Sequence, residues 1–239
     1  NQVWLAHTAI TNASEHKHWQ KMARGGIGQA GVRAHPFDAW IDHWSLSSMA
    51  NTQDDVYPLE LSFSAQEGDA YGVNLKLSGD TPIVLHGQEG YSQKSASKQA
   101  SYYYSQPQLA VSGQIVWQGS LVKVTGQAWL DHEWSSQPLA ANQSGWDWFA
   151  LHLNDGRALM IYRMREEPPE GLKSYWLSGS LITQDGSKTN ILGDEVILEV
   201  LGIEDVGGRT LPLRWRVLIP KYDIDLKIEP LHTNQFISG

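Results

Sequence analysis

The sequence contains no cysteine in 239 residues. Disulfides, thiolate metal sites and a cysteine nucleophile are therefore excluded. Charged residues are sparse at 18%, and the net charge is −8. No Lys/Arg cluster offsets that charge, so no nucleic-acid partner is expected. Nothing approaches the run of about 18 apolar residues that a membrane-spanning helix needs. Long helical periodicity is nearly absent. There is no Gly-rich phosphate loop, no G-x-S-x-G elbow and no H-E-x-x-H pair. No cofactor is expected. Cysteine-free chains occur in the cytosol and the periplasm alike, so this absence leaves the compartment open.

What remains is aromatic and turn-rich, with 11 Trp, 22 Gly and 10 Pro. Low charge with many aromatics argues for a packed core rather than disorder. The length suffices for one large or two small domains. The chain opens on Asn1 and enters the strand-like run "VWLAHTAI" almost at once. A processed or trimmed N-terminus is therefore expected. Nothing in the composition sets an oligomeric state.

Period-2 alternation dominates. Strand-like runs include "DAWIDHWSLS", "YGVNLKLSG", "SLVKVTGQAWLDHEW" and "WDWFALHLNDGRALMIYRMR". The "NDG" within the last is a hairpin signal, because Asp-Gly accepts the positive φ of a tight turn. "QDG" and "VGGR" are read likewise. Only "SEHKHWQKMARGG" offers a short helix, with Ser14 as N-cap and Gly25 as stop. Many short strands at even spacing predict an all-β, antiparallel sandwich or barrel. The polar stretch Ser135–Ser144 is the best linker, which places a domain boundary near residue 140.

The stretch "WLDHEWSSQPLAANQSGWDWF" concentrates four tryptophans, a histidine and three carboxylates. Alternation puts Val122, Val124, Ala128, Leu130, His132 and Trp134 on one strand face. That face is apolar and is expected to point inward, with Asp131 and Glu133 outward. A bulge between Leu130 and Trp134 would reverse this. In the next strand Asp147 shares a face with Phe149, Leu151 and Leu153. Burial there would suit it to act as an acid, or it stays hydrated at the strand end. His7 shares a face with Val3, Leu5 and Ala9 and reads as a core histidine or a ligand contact. Trp40, Asp42 and Trp44 form another alternating face, with His43 opposite. At most two of Tyr102, Tyr103 and Tyr104 share a face. A metal site would need His132 to meet His7, His43 or His152, and no spacing supports that.

The segments "GGIGQAGV", "WIDHWSL", "YYYSQPQLAVSGQIVWQG", "VTGQAWLDHEWSS" and "GWDWFALHLNDGRALMIYRMR" resemble the AttH-type proteins. That family, often labelled predicted secreted hydrolases, includes the carotenoid 1,2-hydratases (CrtC-like). The resemblance implies two tandem lipocalin-like (calycin) β-barrels, at residues 1–140 and 141–239. The family's opening Trp-rich strand and its closing Gly-rich segment both look missing here. The resemblance also implies a periplasmic or secreted location and association with an ABC-type envelope transporter.

In the carotenoid hydratases a His and a Trp two residues apart are linked to activity, and "HEW" matches as His132 and Trp134. A Tyr and an Asp downstream are implicated too. Asp147 is the nearest match for the Asp, and the Tyr has none. The expected function is binding of a lipid or isoprenoid, with a role in lipid metabolism or envelope lipid handling. Trp134, Tyr104, Trp148 and His7 are the candidate contacts. The alternative is hydration of an isoprenoid C=C bond, with Asp147 or protonated His132 as acid and Trp134 steadying the carbocation. A lipid-ester hydrolase and a carbohydrate-binding sandwich are further alternatives.

Overall fold

The computed structural model describes residues 2–24, 26–50, 52, 55–65, 71–166 and 176–237. They form eighteen strands and two short 3-10 turns. β1 (Val3–Thr11) and β2 (His16–Arg24) make a hairpin. A nine-stranded sheet follows. It holds β3 (Ala30–Arg33), β4 (Asp38–Ile41), β5 (Trp44–Ser48), β6 (Leu59–Ser64) and β7 (Gly72–Ser78). β8 (Val84–Leu85), β9 (Tyr91–Gln93), β10 (Ala100–Trp117) and β11 (Ser120–Trp134) complete it. A four-stranded sheet holds β12 (Gln143–His152), β13 (Ala158–Glu166), β14 (Trp176–Ile182) and β15 (Lys188–Leu192). β16 (Ile197–Val206), β17 (Arg209–Ile219) and β18 (Ile224–Ile228) form a third sheet.

The all-β, antiparallel expectation holds throughout. The ladders run as open paths, from β11 to β3, β12 to β15 and β16 to β18. "NDG", "QDG" and "VGGR" all make turns, with Gly156, Gly186, Gly207 and Gly208 at positive φ. Two local readings need correction. "SEHKHWQKMAR" is not a helix: its residues from His16 onward are β2, paired along its length with β1. An isolated short helix is marginal, whereas the hairpin buries Trp19 and Ala23 against Ile41, Trp44 and Phe63. Gly25 lies outside the described residues. "DAWIDHWSLS" is two strands, because Asp42 turns the chain at φ 52. Trp40, Asp42 and Trp44 therefore do not alternate along one strand.

Each strand's pattern decides what it separates. On its inner face the nine-stranded sheet packs Leu59, Leu77 and Leu109 with Ala128 and Leu130. β13 reads "ALMIYRM" and is buried on both sides. Leu159 and Ile161 enter a core shared with Leu177, Ile191, Trp215 and Val217. Met160, Tyr162 and Met164 face the other way and meet Tyr103 and Trp129 of the first sheet. A strand covered on both faces has no polar face to show, hence the near-continuous apolar run. Each fully buried Leu or Ile contributes about 1.5–3 kcal/mol. The connection over residues 135–142 leads from β11 to β12, and no described ladder spans it.

Candidate active site between the sheets

β10 and β11 pair Tyr104 with His132, Tyr103 with Glu133 and Tyr102 with Trp134. Three consecutive tyrosines therefore split, as alternation requires. Tyr102, Tyr104, His132 and Trp134 share the face that carries Leu130 and Ala128. Tyr103 shares the other with Ser101, Ser105, Asp131 and Glu133. The bulge lies in β10, between Gln106 and Leu109, and not in β11.

The expected assignment of these faces fails at this end of the strand. His132 and Trp134 do lie on the side of the Leu core, but the strand has run past it. Both are exposed, Trp134 at 50%. They form an aromatic group in which Tyr104 stacks on His132 (5.1 Å) and Tyr102 on Trp134 (5.5 Å). Burial pushes the Tyr104 phenol up from its ordinary value. Asp131 and Glu133, expected to face outward, are exposed, and their partners all come from the first sheet and its β9–β10 connection. Asp131 Oδ1 accepts from Tyr103 Oη (3.0 Å), Trp129 Nε1 (2.8 Å) and the Ser105 hydroxyl. Its second oxygen accepts from no protein group among the described residues. Glu133 accepts from Ser101 and pairs with Lys94 at 2.8 Å.

Lys94 also lies 4.0 Å from the ring centre of Tyr162 and 5.2 Å from that of Tyr103. Tyr103 is buried, and its hydroxyl accepts from Trp148 Nε1 at 3.2 Å. Burial, and then the charge of Asp131, hold its phenol well above the ordinary range. These groups border a cleft of ≈220 Å³. Lys94, Ser101, Tyr103 and Glu133 line it from the first sheet, Trp146, Trp148, Tyr162 and Met164 from the second, and Pro138 and Leu139 from the connection. A second groove shares Ala100, Ser101, Ser135 and Gln137 with it and carries Tyr102 and Trp134.

Asp147 is elsewhere. It faces the second core and is 6% exposed. Arg163 donates to Oδ2 (2.7 and 3.1 Å) and Arg165 to Oδ1. Every described donor to Asp147 is a guanidinium N–H. It lies on the face of β12 opposite Trp146 and Trp148. His7 is likewise displaced. The buried side of β1 carries Trp4, Ala6 and Ile10, so His7, with Val3 and Leu5, is exposed. It stacks on His18 at 5.3 Å. The structure thus brings His132, Trp134 and Tyr104 together, places Trp148 in the cleft, and keeps Asp147 and His7 apart from both.

Residues missed in the sequence are Lys94, Tyr103, Tyr162 and His86. His86 is fully buried, with Nε2 2.7 Å from Ser105 Oγ and Nδ1 2.9 Å from Ser180 Oγ. Its ring lies 4.3 Å from that of Tyr103. Burial, then Lys188 and Lys94, push its pKa down to about 3. The loop "HGQEG" sets it there. Gly87 has φ 62, and a Cβ on it would lie 2.2 Å from the Tyr91 carbonyl oxygen. The signal that could have found it is a histidine entering a Gly-x-x-Gly turn. Ser105, His86 and Asp131 are the residue types of a hydrolytic triad in the wrong order. The serine donates to the aspartate, and the histidine sits between two buried hydroxyls.

A crystal structure described as an AttH protein from Nitrosomonas europaea is similar to this chain, with TM-score 0.83 and 31% identity. The match covers 98% of this chain and 71% of that one. Kievitone hydratase from Nectria haematococca shares the fold at TM-score 0.72 and 16% identity, over 98% and 69% of the two chains. No curated protein matches by sequence. The family model described as AttH-like matches residues 1–238, and the chain belongs to the AttH-like family.

Proposed function

We propose that the chain binds the end of an apolar, unsaturated isoprenoid-type chain in the inter-sheet cleft and adds water across its terminal C=C bond. One observation carries this reading: apolar walls and acid–base groups share one cleft. Trp146, Trp148, Met164 and Leu139 face Lys94, Glu133 and Tyr103 across it. At ≈220 Å³ it is smaller than the roughly 300–1,000 Å³ of pockets that bury a drug-sized ligand. Only the end of a longer chain fits. The remainder would follow the neighbouring groove past Tyr102 and Trp134.

In this reading Glu133 delivers a proton to the terminal alkene carbon. The tertiary carbocation left behind faces the π clouds of Trp146, Trp148 and Tyr162. Water on Tyr103 Oη adds to the cation. Its proton passes to Tyr103 as the phenolic proton moves to Asp131. Asp131 releases that proton to solvent on its open side, and Glu133, whose side chain is 42% exposed, takes one back from solvent, so that Lys94 keeps its charge throughout. One water is added and nothing is oxidised. Kievitone hydratase, which shares the fold, supports the reaction class only as that protein's own activity. An envelope location and delivery by an ABC-type transporter belong to the same proposal, on the family resemblance alone.

Carriage without turnover is the second reading. It is favoured by the direct ion pair of Glu133 with Lys94. The test is incubation with isoprenoid alcohols and prenylated phenols of graded length in ¹⁸O-water. A labelled product heavier by one water supports hydration. Ligand that binds and is recovered unchanged supports carriage.

A further inference from the structure

His86 has no place in the reaction above, yet it is fully buried between the two sheets and holds two hydroxyls. The hydrogen-bond directions along this line are determined by counting protons. The Ser105 hydroxyl has one proton and gives it to Asp131 Oδ1. Its contact with His86 Nε2 must then be accepted, so Nε2 carries the imidazole proton. Nδ1 of the neutral ring must in turn accept from Ser180 Oγ. Every donor along Ser180, His86 and Ser105 therefore points toward Asp131. Tyr103 and Trp129 donate to the same oxygen.

We propose that His86 is a positioning residue: a neutral, Nε2-protonated imidazole that holds Ser105 as a donor to Asp131. One carboxylate oxygen is thereby occupied, and Asp131 is fixed as the acceptor for the Tyr103 proton. This rests on the hydration reading for its use, though not for its geometry. The groups facing the ring suit a neutral state. Tyr103 stacks on it from β10, Ser180 reaches it from β14, and Lys188 on β15 holds the same loop through the Gly87 carbonyl at 2.9 Å. Lys94 adds a further positive charge nearby, and the only carboxylate on the line, Asp131, lies behind Ser105. Burial and these lysines hold the ring below the range in which it would charge.

The test is ¹⁵N–¹H NMR of the imidazoles in the full chain, with His86 assigned through His86→Gln. A neutral Nε2–H tautomer is expected from pH 8 down to about 4.5, as its depressed pKa requires. In Asp131→Ala both ring resonances of His86 should move, because the acceptor that orients Ser105 is gone. An Nδ1–H tautomer, an imidazolium at pH 5.5, or His86 signals indifferent to Asp131→Ala would overturn the proposal. These readouts need no turnover, so they decide the relay even if hydration is never observed. With turnover, His86→Leu should lower kcat by roughly ten-fold or more at unchanged KM, the size seen when a group that orients a functional ligand is lost. His86→Gln, which keeps a donor and an acceptor, should recover most of it. Equal losses in both variants would overturn the positioning role. If His86→Leu does not fold, the NMR comparison of wild type with Asp131→Ala still decides.

Discussion

Glu133 and Trp134 are neighbours on β11 and face opposite ways. The Trp134 side carries the stacked group of Tyr102, Tyr104 and His132, and it is open to solvent. The Glu133 side looked like a hydrated polar edge; Glu133 is exposed there, yet it borders a cleft whose far wall is the second sheet. The difference arises because apolar character marks the inner face only as far as a core extends. Beyond Leu130 that core has ended. On the other face a second sheet has arrived, and the residue types that suit a contact between sheets are those that hydrogen-bond across it.

That contrast can be tested by substitution on each side. Glu133→Gln should lower hydration by about 10²–10⁴-fold, the usual worth of a general acid. The melting temperature should hardly move, since this side chain is 42% exposed. Asp147→Ala should cost about 3 kcal/mol in urea unfolding, because it removes a buried carboxylate that takes four guanidinium hydrogen bonds beside the second core. Its effect on turnover should follow the loss of folded protein. A selective loss of kcat at full stability would return Asp147 to the chemistry.

His86 adds a pH dependence. Its folded pKa of about 3 lies below the unfolded value of 6.5, so between them the unfolded chain binds the extra proton. The contribution is fully present above about pH 6.5 and is lost as pH falls, by about 1.4 kcal/mol per unit. His86→Gln should remove that part of the slope in denaturant titrations run from pH 7 to pH 4. A wild-type slope in the variant would mean that His86 charges in the folded state. The smallest effects belong to the aromatic side. His132→Ala should change stability by no more than about 1 kcal/mol, in the range of one aromatic pair. Trp134→Ala should raise KM for long-chain ligands a few-fold while leaving short ones unaffected.

The fold was largely legible. Period-2 patterning marked β11 from Ser120 to Trp134, and "NDG" marked the β12–β13 hairpin. The β2 segment was misread because its His- and Lys-rich alternation is weak and Ser14 mimics a cap; only the pairing with β1 decides it. The Tyr102–Tyr104 split followed from pleating alone. The site was less legible, since the cleft is a long-range product. Lys94 and Tyr162 lie far apart in sequence, yet the ammonium sits 4.0 Å from the ring. Asp147 looked like a buried acid because its two arginines come from the partner strand, and their pairing depends on register.

The most direct test sets the two faces of β11 against each other in one assay. Wild type, Glu133→Gln and His132→Ala would be compared for ¹⁸O incorporation into the same prenylated phenol. The account predicts incorporation by wild type and His132→Ala, with little or none by Glu133→Gln. Incorporation by Glu133→Gln at the wild-type rate, with loss in His132→Ala, would contradict it and move the chemistry to the open aromatic face.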